Sequence, residues 1–313
     1  MAKRDLLSIA DLTKDEIIEI FNLASKLKNS SLPSPSKPLK EKNLALLFEK
    51  PSLRTRLSFE VGINQLGGHS VYLGPEEVGL GKRELVKDVA RVLCRYVDGI
   101  IARVFSHKDL TELAKYSSVP VVNALSDLYH PCQVLSDIHL IKEKRGELKG
   151  LKVAFLGDGS NNVAHSWVLG AAKMGINLVI ASPEGYGPKR EIVEAAGEIL
   201  VTTDIEEAAK RADVLYTDVW TSMGQEEEAE RRKKIFANYQ LNKKVLDLAK
   251  KDCLLMHCLP AHRGQEITED VLEGENSIIF EQAENRLHLQ KALLVFLLTF
   301  RKVCHRGHRE IRT

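Results

Sequence analysis

The amino-acid sequence predicts an α/β protein of two domains, each a mostly parallel sheet flanked by helices, with a C-terminal helix that packs back on the first domain. Three observations carry this. Short apolar runs alternate with helix-patterned segments along most of the chain, and strands separated by helices imply parallel sheets with covered faces. The alternation restarts after a basic, glycine-containing joint, "KEKRGELKG" (142–150). The length of 313 residues exceeds what one core usually supports. The expected division is 1–145, 146–285 and a terminal segment, 286–313, that returns to the first domain.

Thr13 and Glu16 form a T-x-x-E capping box ahead of a helix that carries Ile17, Ile20, Phe21, Ala24 and Leu27 at helical spacing. A polar turn is expected over 30–42. Strand-like runs follow at "NLALLF", "HSVYL", "DGIIARV" and "VPVVNA". Helices are expected from about 53, over 84–96, near 107–117 and from Pro131. Beyond the joint the strand-like runs are "LKVAFLGD", "INLVIAS", "EILVTT", "DVLYTD", "CLLMHC" and "SIIFEQ". A long apolar helix is expected over about 282–303. No repeat of solenoid period is visible.

Composition is that of an ordinary soluble globular protein, 28% charged and 44% hydrophobic. A formal net charge of +2 gives no global attraction for nucleic acid, so any positive field must be local. Five widely spread cysteines without a C-x-x-C pair indicate neither a disulfide framework nor a zinc knuckle. The first residues hold too short an apolar run for a signal peptide. The longest apolar run, "ALLVFLLTF" (292–300), is far short of the ~20 residues of a membrane span. A reduced, cytoplasmic protein is expected.

Ligands of open α/β sheets sit outside the carboxyl ends of the strands, so the loops after the strands hold the candidate chemistry. After the first strand, "FEKPSLRTRLSFE" places Ser52 as an N-cap, leaving the N–H groups of Leu53, Arg54 and Thr55 at a helix N-terminus, an anion site by geometry and dipole. Arg54, Thr55 and Arg56 add guanidinium forks and a hydroxyl suited to phosphate oxygens. The plainer reading is a capped helix with solvated arginines. Arg103 ends a buried strand and must be paired or face a cleft. In "LYHPCQVLSD", His130 and Gln133 flank a helix-starting proline and can each offer a hydrogen bond to a carbonyl; His130 alone reads equally well as structural.

In the second half, "FLGDGSNNVAHS" resembles a dinucleotide-binding turn, but Asn162 stands where the third glycine belongs. A tight strand-to-helix turn is the duller reading, and Asn162 can hold a polar ligand. Asp218 ends another strand, where it can bind an ammonium group or cap a turn; Ser222, Met223 and Gly224 follow. The acidic run 226–230 and basic run 231–234 read as a solvated helix face. In "MHCLPAHRGQEIT", His257, Cys258 and His262 fit no usual zinc spacing, and Cys258 is also a candidate thiol nucleophile. Arg286 near the last helix either closes the cleft or is solvated.

Taken together, "FEKPSLRTR", "HPCQVLSD", "DVWTSMG" and "HCLP", in that order, resemble the aspartate/ornithine carbamoyltransferase superfamily, on its ornithine branch, almost end to end. The resemblance implies a first domain that binds carbamoyl phosphate and a second that binds L-ornithine. It places Ser52, Leu53, Arg54 and Thr55 on the phosphate motif and Arg103, His130 and Gln133 on the carbamoyl contacts. Asn162, Asp218, Ser222 and Met223 match ornithine-binding positions, and Cys258, Leu259 and Arg286 line the join of the two subsites. The catalytic set is then Arg54, Arg103, His130, Asp218 and Cys258. No metal or organic cofactor is implied, nor any nucleic-acid or membrane partner. Similar enzymes are trimers or assemblies of trimers, with a neighbour's loop, here around 75–84, completing the site. Leu53 replaces the usual first threonine of S-T-R-T-R, and Gly79 stands where glutamine is common. A nicotinamide-dependent dehydrogenase, a non-catalytic metabolite-binding or partner-binding module, and a carbamoyltransferase for putrescine or acetylornithine are the competing expectations.

Overall fold

The computed structural model describes residues 3–29, 37–197, 199–221 and 226–299. The first lobe opens with α1 (Lys14–Lys28), whose Thr13 and Glu16 make the reciprocal capping box. It continues with β1 (Asn43–Phe48), α2 (Leu53–Gln65), β2 (His69–Leu73), α3 (Pro75–Val78), α4 (Val86–Tyr96), β3 (Gly99–Arg103), α5 (His107–Tyr116), β4 (Val121–Leu125) and α6 (Pro131–Arg145). The second lobe holds β5 (Lys152–Leu156), α7 (Asn162–Met174), β6 (Asn177–Ala181), α8 (Arg190–Ala196), β7 (Leu200–Thr202), α9 (Ile205–Ala209) and β8 (Val214–Thr217). It ends with α10 (Ala229–Phe236), α11 (Lys243–Leu246), β9 (Leu254–His257), α12 (Glu269–Leu272) and α13 (Ile279–Thr299).

Two parallel sheets result, ordered β2-β1-β3-β4 and β7-β6-β5-β8-β9. The inner strands β1, β3, β5 and β8 are almost wholly buried, as parallel strands covered on both faces must be. In each sheet the strand order reverses, between β1 and β3 and between β5 and β8. Such a switch point leaves a crevice at the strands' carboxyl ends.

The lobes join through α6. Its first eleven residues are buried, including Gln133, Ser136, Asp137 and His139. It packs on α7 of the second lobe and on α13. Two of these polar residues are held by other elements or by the helix itself: His139 bonds Ser25 Oγ of α1 at 2.9 Å and Asn285 Nδ2 of α13 at 3.0 Å, and Asp137 accepts from Gln133. One apolar cluster runs from Leu44 and Phe59 through Leu135 and Ile138 to Phe155 and Trp167, so the two lobes share a core. The helix α13 lies against α1, α2 and α6, with Leu289, Leu293 and Leu294 buried among them. It thus returns to the first lobe.

Three expectations need correction. "SIIFEQ" is not a strand: Leu255 N–H donates to Asn276 O at 2.8 Å and Ile278 N–H to Leu255 O at 3.0 Å, after which the chain turns into α13 at Ile279. So short an apolar run (278–280) cannot be told from the start of a buried helix by periodicity. The cut at 285/286 therefore falls inside one continuous helix. Over 84–96 the helix starts at Val86, and the preceding loop forms the short α3, closed by Gly79 at φ +48. Gly79 thus meets a conformational need, because that region favours glycine. Most of the polar turn at 30–42, and residues 300–303, lie outside the described residues.

Leu293→Ala should destabilise the protein by about 2–5 kcal/mol, because it leaves a cavity where α13 meets the first lobe. The fall in the urea midpoint measures it.

Candidate active site

A cavity of about 650 Å³ lies between the lobes, lined from one side by Ser52, Leu53, Arg54, Thr55, Arg103, His130 and Gln133, and from the other by Asn162, Asp218, Cys258 and Leu259, with Arg286 of α13. Apart from Arg286, these residues end or follow β1, β3, β4, β5, β8 and β9, so both sheets aim their carboxyl ends at one space.

On the first side, Ser52 caps α2 by accepting the Thr55 N–H at 3.3 Å. The Leu53 and Arg54 N–H groups have no protein partner among the described residues, so the positive end of the helix faces the cavity. Leu53 is 71% exposed, and its side chain carries no hydrogen-bonding group. Arg286 donates to Thr55 Oγ1 at 2.8 Å, which leaves that hydroxyl's hydrogen for another acceptor. Burial, with Arg286 and Arg54 nearby, draws Arg103 down to about 10. Burial likewise lowers Arg286. Guanidinium groups so crowded and dry favour an anion between them. Arg56 departs from expectation: it pairs with Glu60 at 3.0 Å, stacks 3.7 Å from the Tyr72 ring centre and lies outside the cavity. One position along a helix turns a side chain by about 100°, enough to leave the site.

His130 precedes Pro131 at the start of α6. Its N–H donates to Ser166 Oγ at 2.8 Å, and Nδ1 has no partner among the described residues. Burial, reinforced by Arg286 and Arg103, holds its pKa well below the usual value, so the ring is neutral near pH 7. Gln133 donates through Nε2 to Asp137 at 2.9 Å.

On the second side Asp218 is buried. Its Oδ1 accepts the Val219 N–H at 2.8 Å and the Cys258 thiol at 3.1 Å; Oδ2 accepts Asn161 Nδ2 at 3.3 Å. Burial raises its pKa. Burial and the Asp218 carboxylate push the Cys258 thiol well above its ordinary value, the reverse of an activated nucleophile. Asp218, His257 and Cys258 bring ligand-type atoms within 4.8 Å of one another. They do not suit a metal: His257 Nδ1 accepts the Leu259 N–H at 2.9 Å, which places the ring proton on Nε2, 3.1 Å from Glu266, and leaves no lone pair. The same bond steadies Leu259, whose φ of +56 is rare for a branched residue. Asn162 lines the cavity while its Nδ2 donates to Ser126 O at 2.5 Å. Ser222 and Met223 lie outside the described residues.

The glycine turn after β5 is filled by the protein itself. A Cβ at Gly159 would lie 2.9 Å from Ile180 Cγ2, so that glycine serves close packing. Asp158 accepts Ser160 Oγ at 2.6 Å and pairs with Arg232. That pair corrects the solvated-face reading of 226–234: Arg232 is 3% exposed, donates to Trp220 O and lies against the Tyr186 and Phe236 rings. Charge runs report average exposure and hide the one residue that turns inward. Sequence reasoning also missed Asp137, Gln282 and Glu266, all buried. The i, i+4 spacing of Asp137 from Gln133 was the available signal for one of them.

Two joined α/β lobes with an anion-binding wall opposite a carboxylate define a two-domain transferase. The family model "Aspartate/ornithine carbamoyltransferase, carbamoyl-P binding domain" matches residues 4–143, and "Aspartate/ornithine carbamoyltransferase, Asp/Orn binding domain" matches 149–297. The chain is 50% identical to an ornithine carbamoyltransferase of Thermococcus kodakarensis over 307 residues, covering 95% of this chain and 97% of that one. It is 53% identical to one of Archaeoglobus fulgidus over 300 residues, covering 94% and 97%. The solved ornithine carbamoyltransferase of Pyrococcus furiosus superposes with a TM-score of 0.92 at 49% identity, covering 96% and 99%. The chain belongs to the aspartate/ornithine carbamoyltransferase family.

Two outcomes are expected. Alkylation of Cys258 by iodoacetamide should keep rising with pH through pH 9, as for a thiol; a plateau near neutrality, read by peptide mapping, would reveal a thiolate. Arg232→Met should cost about 3–5 kcal/mol in urea unfolding, because it strands Asp158 without a counter-charge.

Proposed function

We propose that the cleft transfers the carbamoyl group of carbamoyl phosphate to the δ-amine of L-ornithine, giving L-citrulline and phosphate, with roles divided between the two walls. The observation that carries this reading is the convergence of Arg54, Arg103, Arg286 and the α2 N-terminus on one side of the cavity that Asp218 and Cys258 line on the other. A doubly charged acyl donor fits the first wall and an amine the second. Aspartate would need cations where Asp218 supplies the reverse.

Ser52, the Leu53 amide and Arg54 hold the phosphate, and Thr55 stands where phosphate and carbamoyl group meet. Arg54 also neutralises the charge that builds on it as it leaves. Arg103, neutral His130 and the Thr55 hydroxyl donate to the carbamoyl oxygen as it becomes an oxyanion, each such donor contributing roughly 3–4 kcal/mol. Gln133 and Leu259 bound the carbamoyl amide. Asn162, Asp218, Ser222 and Met223 hold ornithine. Asp218 and Cys258, already bonded to each other, orient the neutral δ-nitrogen. The amine lone pair attacks the carbamoyl carbon, the carbon–oxygen bond to phosphate breaks, and a phosphate oxygen takes the amine proton. No step calls for a metal or organic cofactor. Holding the two reactants in attack geometry supplies roughly 7–11 kcal/mol.

The same reading divides the labour: residues up to about 145 bind the donor, 146–285 bind ornithine, and the terminal segment joins the lobes. It assigns the chain to the cytoplasm and to arginine biosynthesis. It also makes the assembly a homotrimer, or a set of trimers, in which the 75–84 segment reaches a neighbour's site. Among the described residues no helix is long and apolar enough to cross a membrane.

Carbamoyl phosphate mixed with ornithine and the purified chain should yield citrulline, detected by colour. Equal or greater turnover with putrescine or acetylornithine would shift the substrate, and no ureido product with any amine would end the reading. Arg54→Gly should lower turnover by orders of magnitude with the fold intact by circular dichroism. Asp218→Asn should impair the use of ornithine far more than carbamoyl phosphate binding; equal losses in both would count against its role.

A further inference from the structure

The Asp137 carboxylate lies fully buried on α6, one helical turn past Gln133. Three donors converge on it. Gln133 Nε2 and Gln282 Nε2 each reach Oδ1 at 2.9 Å, and the Tyr216 hydroxyl reaches Oδ2 at 2.9 Å. They come from α6, from α13 and from β8 of the second lobe. Gln282 is itself fixed, because its Oε1 accepts the backbone N–H of His257 at 2.9 Å. A carboxamide whose oxygen holds an N–H presents hydrogens, not lone pairs, at its nitrogen. Asp137 Oδ1 is therefore an acceptor. Burial pushes this carboxyl up to about 7, yet any proton it takes belongs on Oδ2, facing the Tyr216 oxygen. Gln133 shares Oδ1 with Gln282 and must donate to it as well. The Gln133 carbonyl oxygen is then the end left for the cavity, where it has no partner among the described residues.

We propose that Asp137, held by Gln282, is a positioning residue that locks Gln133 as a hydrogen-bond acceptor and so makes the donor subsite select an acyl group bearing N–H against one of the same size bearing a methyl. The inference rests on the carbamoyl-transfer reading of the cleft. A carbamoyl amide satisfies the Gln133 oxygen. An acetyl methyl leaves it buried and unpaired, and sites built around such a bond reject the analogue that lacks it. A Gln133 free to turn over would offer its NH2 instead and lose that discrimination. The relay also links donor recognition to the second lobe, because the His257 N–H that orients Gln282 belongs to the strand leading into Cys258 and Leu259.

The test compares the inhibition constant of acetyl phosphate with the KM of carbamoyl phosphate in the wild-type chain, Asp137→Leu and Asp137→Asn. In the wild type the ratio should be about tenfold or more. Asp137→Leu removes the acceptor and should bring the ratio to within about threefold, by weakening carbamoyl phosphate while acetyl phosphate is little changed. Asp137→Asn should retain the ratio, since its amide oxygen can receive both glutamine donors while its NH2 faces the Tyr216 oxygen. A wild-type ratio near one overturns the proposal. So does Asp137→Leu weakening both ligands by the same factor, which would mark a merely structural role. If Asp137→Leu fails to fold, the wild-type and Asp137→Asn ratios decide: retention in both supports the lock, and loss in either overturns it. Citrulline formation by the wild-type chain tests the underlying reading separately; a chain that makes citrulline with a ratio near one sinks the lock and leaves that reading standing.

Discussion

Positive charge held out of water is the constraint on which the cleft depends. Arg103 and Arg286 are nearly inaccessible, and Arg54 stands close enough to both to lower their affinity for protons. Cations in that state tolerate one another only where fixed dipoles and a rigid frame hold them and where an anion completes the arrangement. The frame is the parallel sheet: Arg103 is the last residue of β3, and Arg54 sits in the first turn after β1, its direct neighbour. The backbone positions from which both side chains extend are thus fixed by a central strand pairing. Preorganisation of this kind lets a site stabilise developing charge without reorganising during the reaction.

The second wall is built on a different economy. Asp218 accepts the Cys258 thiol, and beside them His257 pairs with the buried Glu266. Burial pushes the Asp218 carboxyl and the Cys258 thiol toward their neutral forms. A neutral thiol bonded to a carboxylate is a poor nucleophile and a good spacer. Leu259, at positive φ, is held there by the His257 ring, so a strained backbone position and a buried imidazole–carboxylate pair belong to one structural unit.

Between the walls run α6 and α13. Helix α6 is buried along its first eleven residues because it serves both lobes at once, which is why Gln133, Asp137 and His139 bond protein groups rather than solvent. Asp137 shows the consequence. Gln133 reaches it from its own helix, but its other partners arise from α13 and β8, far away in the chain, and those bonds form only once the lobes are joined. The same holds for the Arg286–Thr55 bond, which ties the returning helix to the anion-binding turn.

Much of this was legible in the amino-acid order. Continuous apolar runs between helical patterns gave the parallel strands, the Thr13–Glu16 box began α1, and Ser52 ahead of "LRTR" marked a capped helix start, because local hydrogen bonding and periodicity are written within a few residues. The positions that end the strands could be named for the same reason: a polar side chain after a buried strand has few places to go. Other features were closed to it. "SIIFEQ" pairs for a moment beside β9 before becoming a helix, Arg56 turns outward beside an inward Arg54, and Arg232 leaves a charged run to enter an aromatic nest. Each outcome depends on which surface stands opposite, a quantity no local window contains. The chain by itself determined the elements and the chemistry available at their ends. Only the tertiary structure decided which of those ends meet, since burial, desolvation and the direction of a shared hydrogen bond exist only once distant segments are in contact.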